Sequence, residues 1–328
     1  MTDLLGWPLV QPRARVIIDN DYSGDPDDLI QTVHHLLSPS VDIPMLIASH
    51  LSKDDPWDPS DHQASNAEAE LRKLLAVMGV ADRYVVHRGS EVALTAIDRP
   101  QDTPAARAII AEAMRTDTDL PLYYAAGAGL TELASALLIE PAIAGRMTLV
   151  WIGGAEYPEL SDPPPGGAGI EYNLRIDVAA AQVVFGSDIP IWQVPRNVYR
   201  QILMGYAELL VSVAPHGALG QHLKESIEKV MAWTAAKNFD IGETYAMGDS
   251  PLVTLTALQS AFQPDPASSF YVWHERLTIL DDGSYGPAAS GGKIRVYTQI
   301  DTRLTFADFF AKLALNALAS KDLKLSAG

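Results

Sequence analysis

The chain has no cysteine in its 328 residues. That excludes disulfides, thiol nucleophiles and thiolate zinc sites. Positive charge is also scarce: 24 lysines and arginines face 41 aspartates and glutamates, for a net charge of −17 and an isoelectric point near 4.7. Such a field opposes binding to a phosphate backbone or an anionic membrane, so the expected partner is a small molecule and not a nucleic acid. No run approaches the roughly 18 apolar residues that a membrane span requires. Met1–Pro8 lacks the basic region and apolar stretch of a secretory signal, so a cytoplasmic location is expected. Several catalytic signatures are missing too. Gly291-Gly292-Lys293 is followed by Ile294 and makes no Walker A loop, the eight histidines include no HExxH pair, and there is no Gly-x-Ser-x-Gly elbow. Gly127-Ala128-Gly129 follows a strand pattern, but Glu132 stands where a third dinucleotide-loop glycine belongs.

What the chain does have is acid concentrated at one point. Asp19, Asp21, Asp25, Asp27 and Asp28 fall within ten residues, directly after the apolar run Val16-Ile17-Ile18. Carboxylates this close raise one another's pKa unless something positive neutralises them, and a hard cation with oxygen ligands is the simplest remedy. The run reads as a buried parallel strand. After it comes a helix start, with Asp25 as N-cap, Pro26 in the first helical position and acids in the first turn. Leu29, Ile30, Val33, Leu36 and Leu37 continue that helix at the right spacing. Capping accounts for Asp25, and the helix dipole for part of Asp27 and Asp28, at about 0.3–1 kcal/mol each. Neither explains Asp19 and Asp21, which point to a metal or catalytic carboxylate site at the carboxyl end of a first strand. An EF-hand is excluded, since Ile30 occupies the twelfth position counted from Asp19.

Strand and helix patterns alternate through the first two thirds of the chain. Strands are expected near Ile43–Ser49, Tyr84–His87, Leu122–Ala126, Met147–Ile152 and Ile189–Val194. Helices are expected near Ala64–Met78, Pro104–Met114, Leu130–Leu138 and Val178–Phe185. Residues 197–262 read as mainly helical; strand signals return at Phe270–Trp273, Leu277–Leu280 and Ile294–Thr298, and a helix near Phe306–Ala319 closes the chain. The expectation is an α/β fold in one domain, 1–328: a mostly parallel, doubly wound central sheet with flanking helices and a mainly helical C-terminal third. The adjoining His34 and His35 read as packing or surface residues. Two loops stand out: Pro158–Gly169, a lid candidate, and Asp281–Gly292, rich in glycine and serine, an ordinary surface connection. Glu171 and Asn173 would share one side if their stretch is extended. Asp249 could be the N-cap of a helix at Leu252–Leu258. Trp233, Phe239 and Tyr245 could stack on a ligand or pack in the core.

Taken in order, these segments resemble the inosine–uridine nucleoside hydrolase superfamily. Asp19 to Asp28 matches Asp-x-Asp-x-x-x-Asp-x-Asp-Asp without a gap. Gly127-Ala128-Gly129-Leu130-Thr131-Glu132 is similar to the family's Gly-Leu-Thr-Asn segment, Gly153-Gly154 to its Met-Gly-Gly strand end, and Glu171-Tyr172-Asn173 with Asp177 to its Glu-Phe-Asn block. Gly248-Asp249 stands where the family has His-Asp. The resemblance spans about residues 14–315 and implies a nucleoside hydrolase-like fold with Ca²⁺ held by Asp21, Asp28, Asp249 and the main-chain carbonyl of Gly127. It further implies ribose contacts from Asp27, His50, Glu171 and Asn173, with Asp21 as general base on a metal-bound water that hydrolyses the N-glycosidic bond of a ribonucleoside. Relatives are commonly dimers or tetramers. This sequence departs from the family at Gly248 in place of the histidine that helps the base leave, at Glu132 in place of asparagine, and at Pro165-Gly166 where an asparagine precedes the glutamate. Two other readings stay open. One is a nucleoside- or ribose-binding protein that kept the metal but lost turnover. The other is a haloacid dehalogenase-like phosphatase with Asp19 as nucleophile and Asp21 as acid.

Overall fold

The computed structural model describes residues 7, 9–167, 169–260 and 269–326. Residue 168 of the lid candidate and residues 261–262 of the helical stretch therefore lie outside the described residues, as do Met1–Gly6 and Pro8. The strands are β1 (Ala14–Asn20), β2 (Val41–Asp42), β3 (Leu46–Ala48), β4 (Val86–Arg88), β5 (Leu122–Ala126), β6 (Thr148–Ile152), β7 (Ile191–Val194), β8 (Leu203–Gly205), β9 (Thr244–Ala246), β10 (Phe270–Ile279) and β11 (Tyr285–Gln299). The α-helices are α1 (Asp27–Leu36), α2 (Gln63–Val77), α3 (Pro104–Ala113), α4 (Thr131–Ile139), α5 (Tyr172–Ile176), α6 (Val178–Gly186), α7 (Arg196–Tyr199), α8 (Tyr206–Glu208), α9 (Gly217–Ala236), α10 (Pro251–Thr256) and α11 (Thr302–Ser326).

The main sheet runs β10-β11-β7-β6-β5-β1-β3-β4, with β2 beside the start of β1. All pairings are parallel except the antiparallel β10–β11 pair. All seven β1 residues are buried because both faces of the strand are covered. Alternation sends Val16 and Ile18 into one apolar cluster with Leu29, Ile30 and Val33 of α1 and Leu252 of α10. Ile17 goes into the opposite cluster with Ile109, Leu133, Leu137, Val184 and Phe185. The doubly wound α/β arrangement expected from the alternating pattern is thus the observed one.

Several elements differ from expectation. Of the strand foreseen over Ile43–Ser49 only Leu46–Ala48 forms; Pro44, which lacks the N–H a ladder needs, separates it from the short β2 that precedes the foreseen range. The helical stretch after residue 197 also holds a small two-stranded antiparallel sheet, β8 with β9, whose three-residue strands carry too short a pattern to read. Tyr285–Gly292 of the expected surface connection belongs to β11, held by pairing with β10 through two register shifts between Glu275 and Ile279. The closing helix starts at Thr302 and runs on to Ser326, beyond both expected ends.

His34 and His35 are core residues. His34 Nε2 donates to Asp308 Oδ2 of α11 at 2.8 Å, while Lys312 Nζ lies 2.5 Å from the same oxygen. Burial outweighs the carboxylate and lowers the His34 pKa from 6.5 to about 4, so at neutral pH this contact is a hydrogen bond and not an ion pair. The unfolded chain takes up a proton below pH 6.5 that the fold refuses, so this contribution is complete above that pH and lost on acidification toward pH 4. The expected loss is about 3 kcal/mol across that window. Urea midpoints measured from pH 7 to 4 should fall less steeply for His34→Gln than for the parent protein; equal slopes would clear His34 of the effect.

Candidate active site

The site is assembled where β1, β5 and β6 end, at the carboxyl edge of the sheet. Beyond β1 the chain turns through Gly24, whose N–H donates to Asp21 O at 2.7 Å, and enters α1. Asp25 Oδ1 accepts from Asp27 N at 3.2 Å, but the cap position is Pro26, so Asp25 sits one residue outside the N-cap expected of it. The helix itself is assigned from Asp27, one residue later than the reading with Pro26 as its first residue. Asp27 and Asp28 project about 100° apart around the helix. Asp27 accepts from Asp249 N at 3.0 Å. Asp28 is buried against Asp21 and Asp249.

Oxygens of Asp27, Asp28 and Asp249 can all lie within 4.8 Å of one another, and the Asp21 and Asp28 carboxylates touch. Both oxygens of Asp28, Oδ2 of Asp21, Oδ2 of Asp249 and Oδ1 of Asn20 are buried with no hydrogen-bond partner. Burial, followed by the neighbouring carboxylates, pushes the pKa of Asp21, Asp27 and Asp28 well above the usual range, and burial lifts Asp249 to about 7. Orphaned carboxylate oxygens, packed together and acceptor-only when ionised, suit a hard divalent cation. Asp249 does not serve as the cap of α10, whose cap position is Ser250; its carboxylate turns into the cluster instead. Gly127 allows that turn, since a Cβ there would lie 1.9 Å from Asp249 Oδ2.

The facing wall is α5 and its cap. Glu171 and Asn173 are not on an extended segment, as the sequence suggested, because Glu171 caps a short helix. The Glu171 carboxylate accepts from Leu174 N at 3.0 Å, Asn173 N at 3.2 Å, Gly154 N at 2.7 Å and Tyr199 Oη at 2.7 Å. Gly154 reaches that bond with φ +83° and leaves no room for a Cβ, which would lie 2.2 Å from Gln193 Nε2. Asn173 Nδ2 donates to Gly127 O at 3.1 Å and Ile152 O at 2.8 Å, binding this wall to the ends of β5 and β6. At the mouth, Tyr172 donates to Asp55 Oδ2 at 2.9 Å. Tyr245 stands against Asp25. Gly248 lies beside Asp27 and Tyr199.

Not every expected residue joins this group. Asp19 points through the opposite face of β1, fully buried, and accepts from the Ser49 and Tyr124 hydroxyls. Ser49 Oγ also lies 3.3 Å from Glu132 Oε2, and burial raises both Asp19 and Glu132 to about 7. So enclosed, Asp19 cannot be the accessible nucleophile of a phosphatase. His50 is buried under the site, with Nδ1 bonded to Leu51 O at 2.8 Å and Nε2 to Thr131 Oγ1 at 3.1 Å. Trp233 stacks on Trp57, with ring centroids 4.9 Å apart, and Phe239 is exposed. The Pro158–Gly169 segment borders a cavity of about 570 Å³ that Glu171 and Arg196 also line. The reading from sequence missed Asp55 and Tyr199, each of which reaches the site from a loop or short helix far away in the chain.

The profile of the family described as inosine-uridine preferring nucleoside hydrolase matches residues 16–306. A plant nucleoside hydrolase superposes with a TM-score of 0.70 at 18% identity, covering 92% of this chain and 99% of that one. A purine-preferring ribonucleoside hydrolase from Gardnerella vaginalis gives 0.71 at 18% identity, over 93% and 99%. An inosine-uridine preferring nucleoside hydrolase from Bacillus anthracis gives 0.62 at 15%, over 92% and 99%. At such identities the superpositions establish the fold. No curated protein matches the chain.

The close approach at Gly127 provides a test of the cation site. Gly127→Ala should displace the Asp249 carboxylate and weaken the binding of a divalent-cation probe by at least about tenfold in calorimetric titration, which corresponds to about 1.4 kcal/mol. Unchanged affinity would separate Asp249 from the cation.

Proposed function

The chain belongs to the inosine-uridine preferring nucleoside hydrolase family and is a hydrolase acting on N-glycosyl compounds; we propose that it is a Ca²⁺-dependent nucleoside N-ribohydrolase in which Asp21 is the general base. The observation that carries this reading is the convergence of Asp21, Asp28 and Asp249, with their unpartnered oxygens, beside Asp27 and Asn173. Those three carboxylates and the Gly127 carbonyl would hold the cation. When bound, Ca²⁺ would acidify a water at the site and offset the mutual repulsion of the acids.

The protein's own groups then divide the work. Asp21 takes the proton of the attacking water as that oxygen bonds to the anomeric carbon. Asp27, which stays partly exposed, accepts from a ribose hydroxyl. Asn173 has spent its amide hydrogens on Gly127 O and Ile152 O, so it offers the sugar its Oδ1 acceptor. Glu171 already accepts four hydrogen bonds on roughly four lone-pair sites, so a sugar hydroxyl takes the place of the longest of them, from Asn173 N at 3.2 Å, while Tyr199 stays bonded. With its ring nitrogens engaged, His50 supports the sugar side by holding Leu51 and Thr131 in position. The two apolar clusters flank one sheet, which supports reading 1–328 as a single domain.

Sugar release from a nucleoside panel, with Ca²⁺ supplied or chelated, tests the proposal. Asp21→Asn should cut kcat/KM by about 10²–10⁴-fold with the fold intact by circular dichroism. Full activity in that variant, or calcium-independent release, would rule out the mechanism.

A further inference from the structure

Resting on the hydrolase reading above, we propose that the preferred substrates are nucleosides whose base carries a formal positive charge, such as an N-ribosyl pyridinium or an N7-alkylated purine. When an N-glycosidic bond breaks, its electron pair goes to the base nitrogen. A neutral purine or pyrimidine needs a proton there as it departs, whereas a cationic base leaves neutral without one.

Among the described residues, no side chain at the site is placed as a free donor for that proton. Gly248 stands where a Cβ would lie 3.3 Å from Asp27 Oδ2 and 3.3 Å from Tyr199 Cδ2, and it presents no side chain. The phenols of the wall and mouth have committed their protons: Tyr199 to Glu171 at 2.7 Å and Tyr172 to Asp55 at 2.9 Å. Burial and then the adjacent carboxylates push Tyr172, Tyr199 and Tyr245 above the ordinary phenol range, which makes them weaker acids. His50 is engaged at both ring nitrogens, and Glu156 is clamped by Arg196 at 2.6 Å.

Charge points the same way. Asp21, Asp25, Asp27, Asp28, Asp55, Asp249 and Glu171 all act on this space, and the charged neighbours weighing on Asp21, Asp27, Asp28 and Asp249 are carboxylates. A space lined by so many carboxyl groups favours a cationic base over an anionic leaving group. At the mouth the half-exposed Arg175 guanidinium, 5.2 Å over the Tyr172 ring and 3.8 Å from Asp55 Oδ2, offsets Asp55 alone.

The step balances without an added acid. Water oxygen bonds to the anomeric carbon, the carbon–nitrogen bond breaks with its pair moving to the ring nitrogen, and the positive charge there is cancelled. A water proton passes to Asp21, and the products are ribose and a neutral base.

The matched pair inosine and N7-methylinosine isolates the charge, with N-ribosylnicotinamide and uridine measured beside them at one Ca²⁺ concentration and each corrected for uncatalysed release. The corrected kcat/KM for N7-methylinosine should exceed that for inosine by at least about 100-fold, with N-ribosylnicotinamide ahead of uridine. A ratio below about tenfold would overturn the charge preference and leave the hydrolase reading standing. No release from any of the four, by folded protein that binds Ca²⁺, would remove both.

Discussion

Carboxylates buried against one another repel, and the arrangement around Asp21, Asp28 and Asp249 is organised by how that repulsion is contained. Burial denies these groups water, and their pKa values rise as a result. The surrounding structure nevertheless keeps them together. β1 delivers Asp21 from the centre of the sheet, α1 turns Asp28 inward, and the backbone bond from Asp249 N to Asp27 fixes the fourth acid. A fold that holds unpaired acceptors in this way presents a preformed candidate site for a hard cation.

The layers beneath the cluster are polar and, Asn20 Oδ1 apart, hydrogen-bonded. On one side of β1, Asn20 donates to Gln31, which bonds His35, which in turn meets Thr256. On the other side, Asp19, Ser49, Tyr124 and Glu132 share hydrogen bonds in a closed pocket. Such networks are costly unless every member is paired, and paired they fix side-chain positions at the strand end. Asp21 and its partners differ in having oxygens left over, and that difference separates the candidate ligands from the acids that only support them.

The wall opposite is held by a chain of local bonds. Glu171 closes the N-terminus of α5, ties down Gly154 and receives Tyr199, while Tyr172 on the same helix reaches Asp55 in the loop after β3. One five-residue helix thus connects the ends of β5 and β6 to the rim of the site. Its placement also explains why the phenols nearby are hydrogen-bonded to carboxylates and poorly suited to give up protons.

The alternation of apolar runs with helical periodicity determined the parallel sheet, and the crowding of Asp19 to Asp28 after an apolar strand determined where the site would lie. Both are local signals that need no partner elsewhere in the chain. Tertiary structure decided which acids share the site. Alternation along β1 takes Asp19 to a closed pocket, while the turn after the strand brings Asp21 to the open end, a distinction that spacing alone does not make. Tertiary structure also decided what Glu171 meets beyond its local cap bonds to Asn173 N and Leu174 N: Gly154 N and Tyr199 Oη, 17 and 28 residues away. Asp55 and Tyr199 carried no motif, and only packing at the carboxyl edge of the sheet brings them to the same few ångströms.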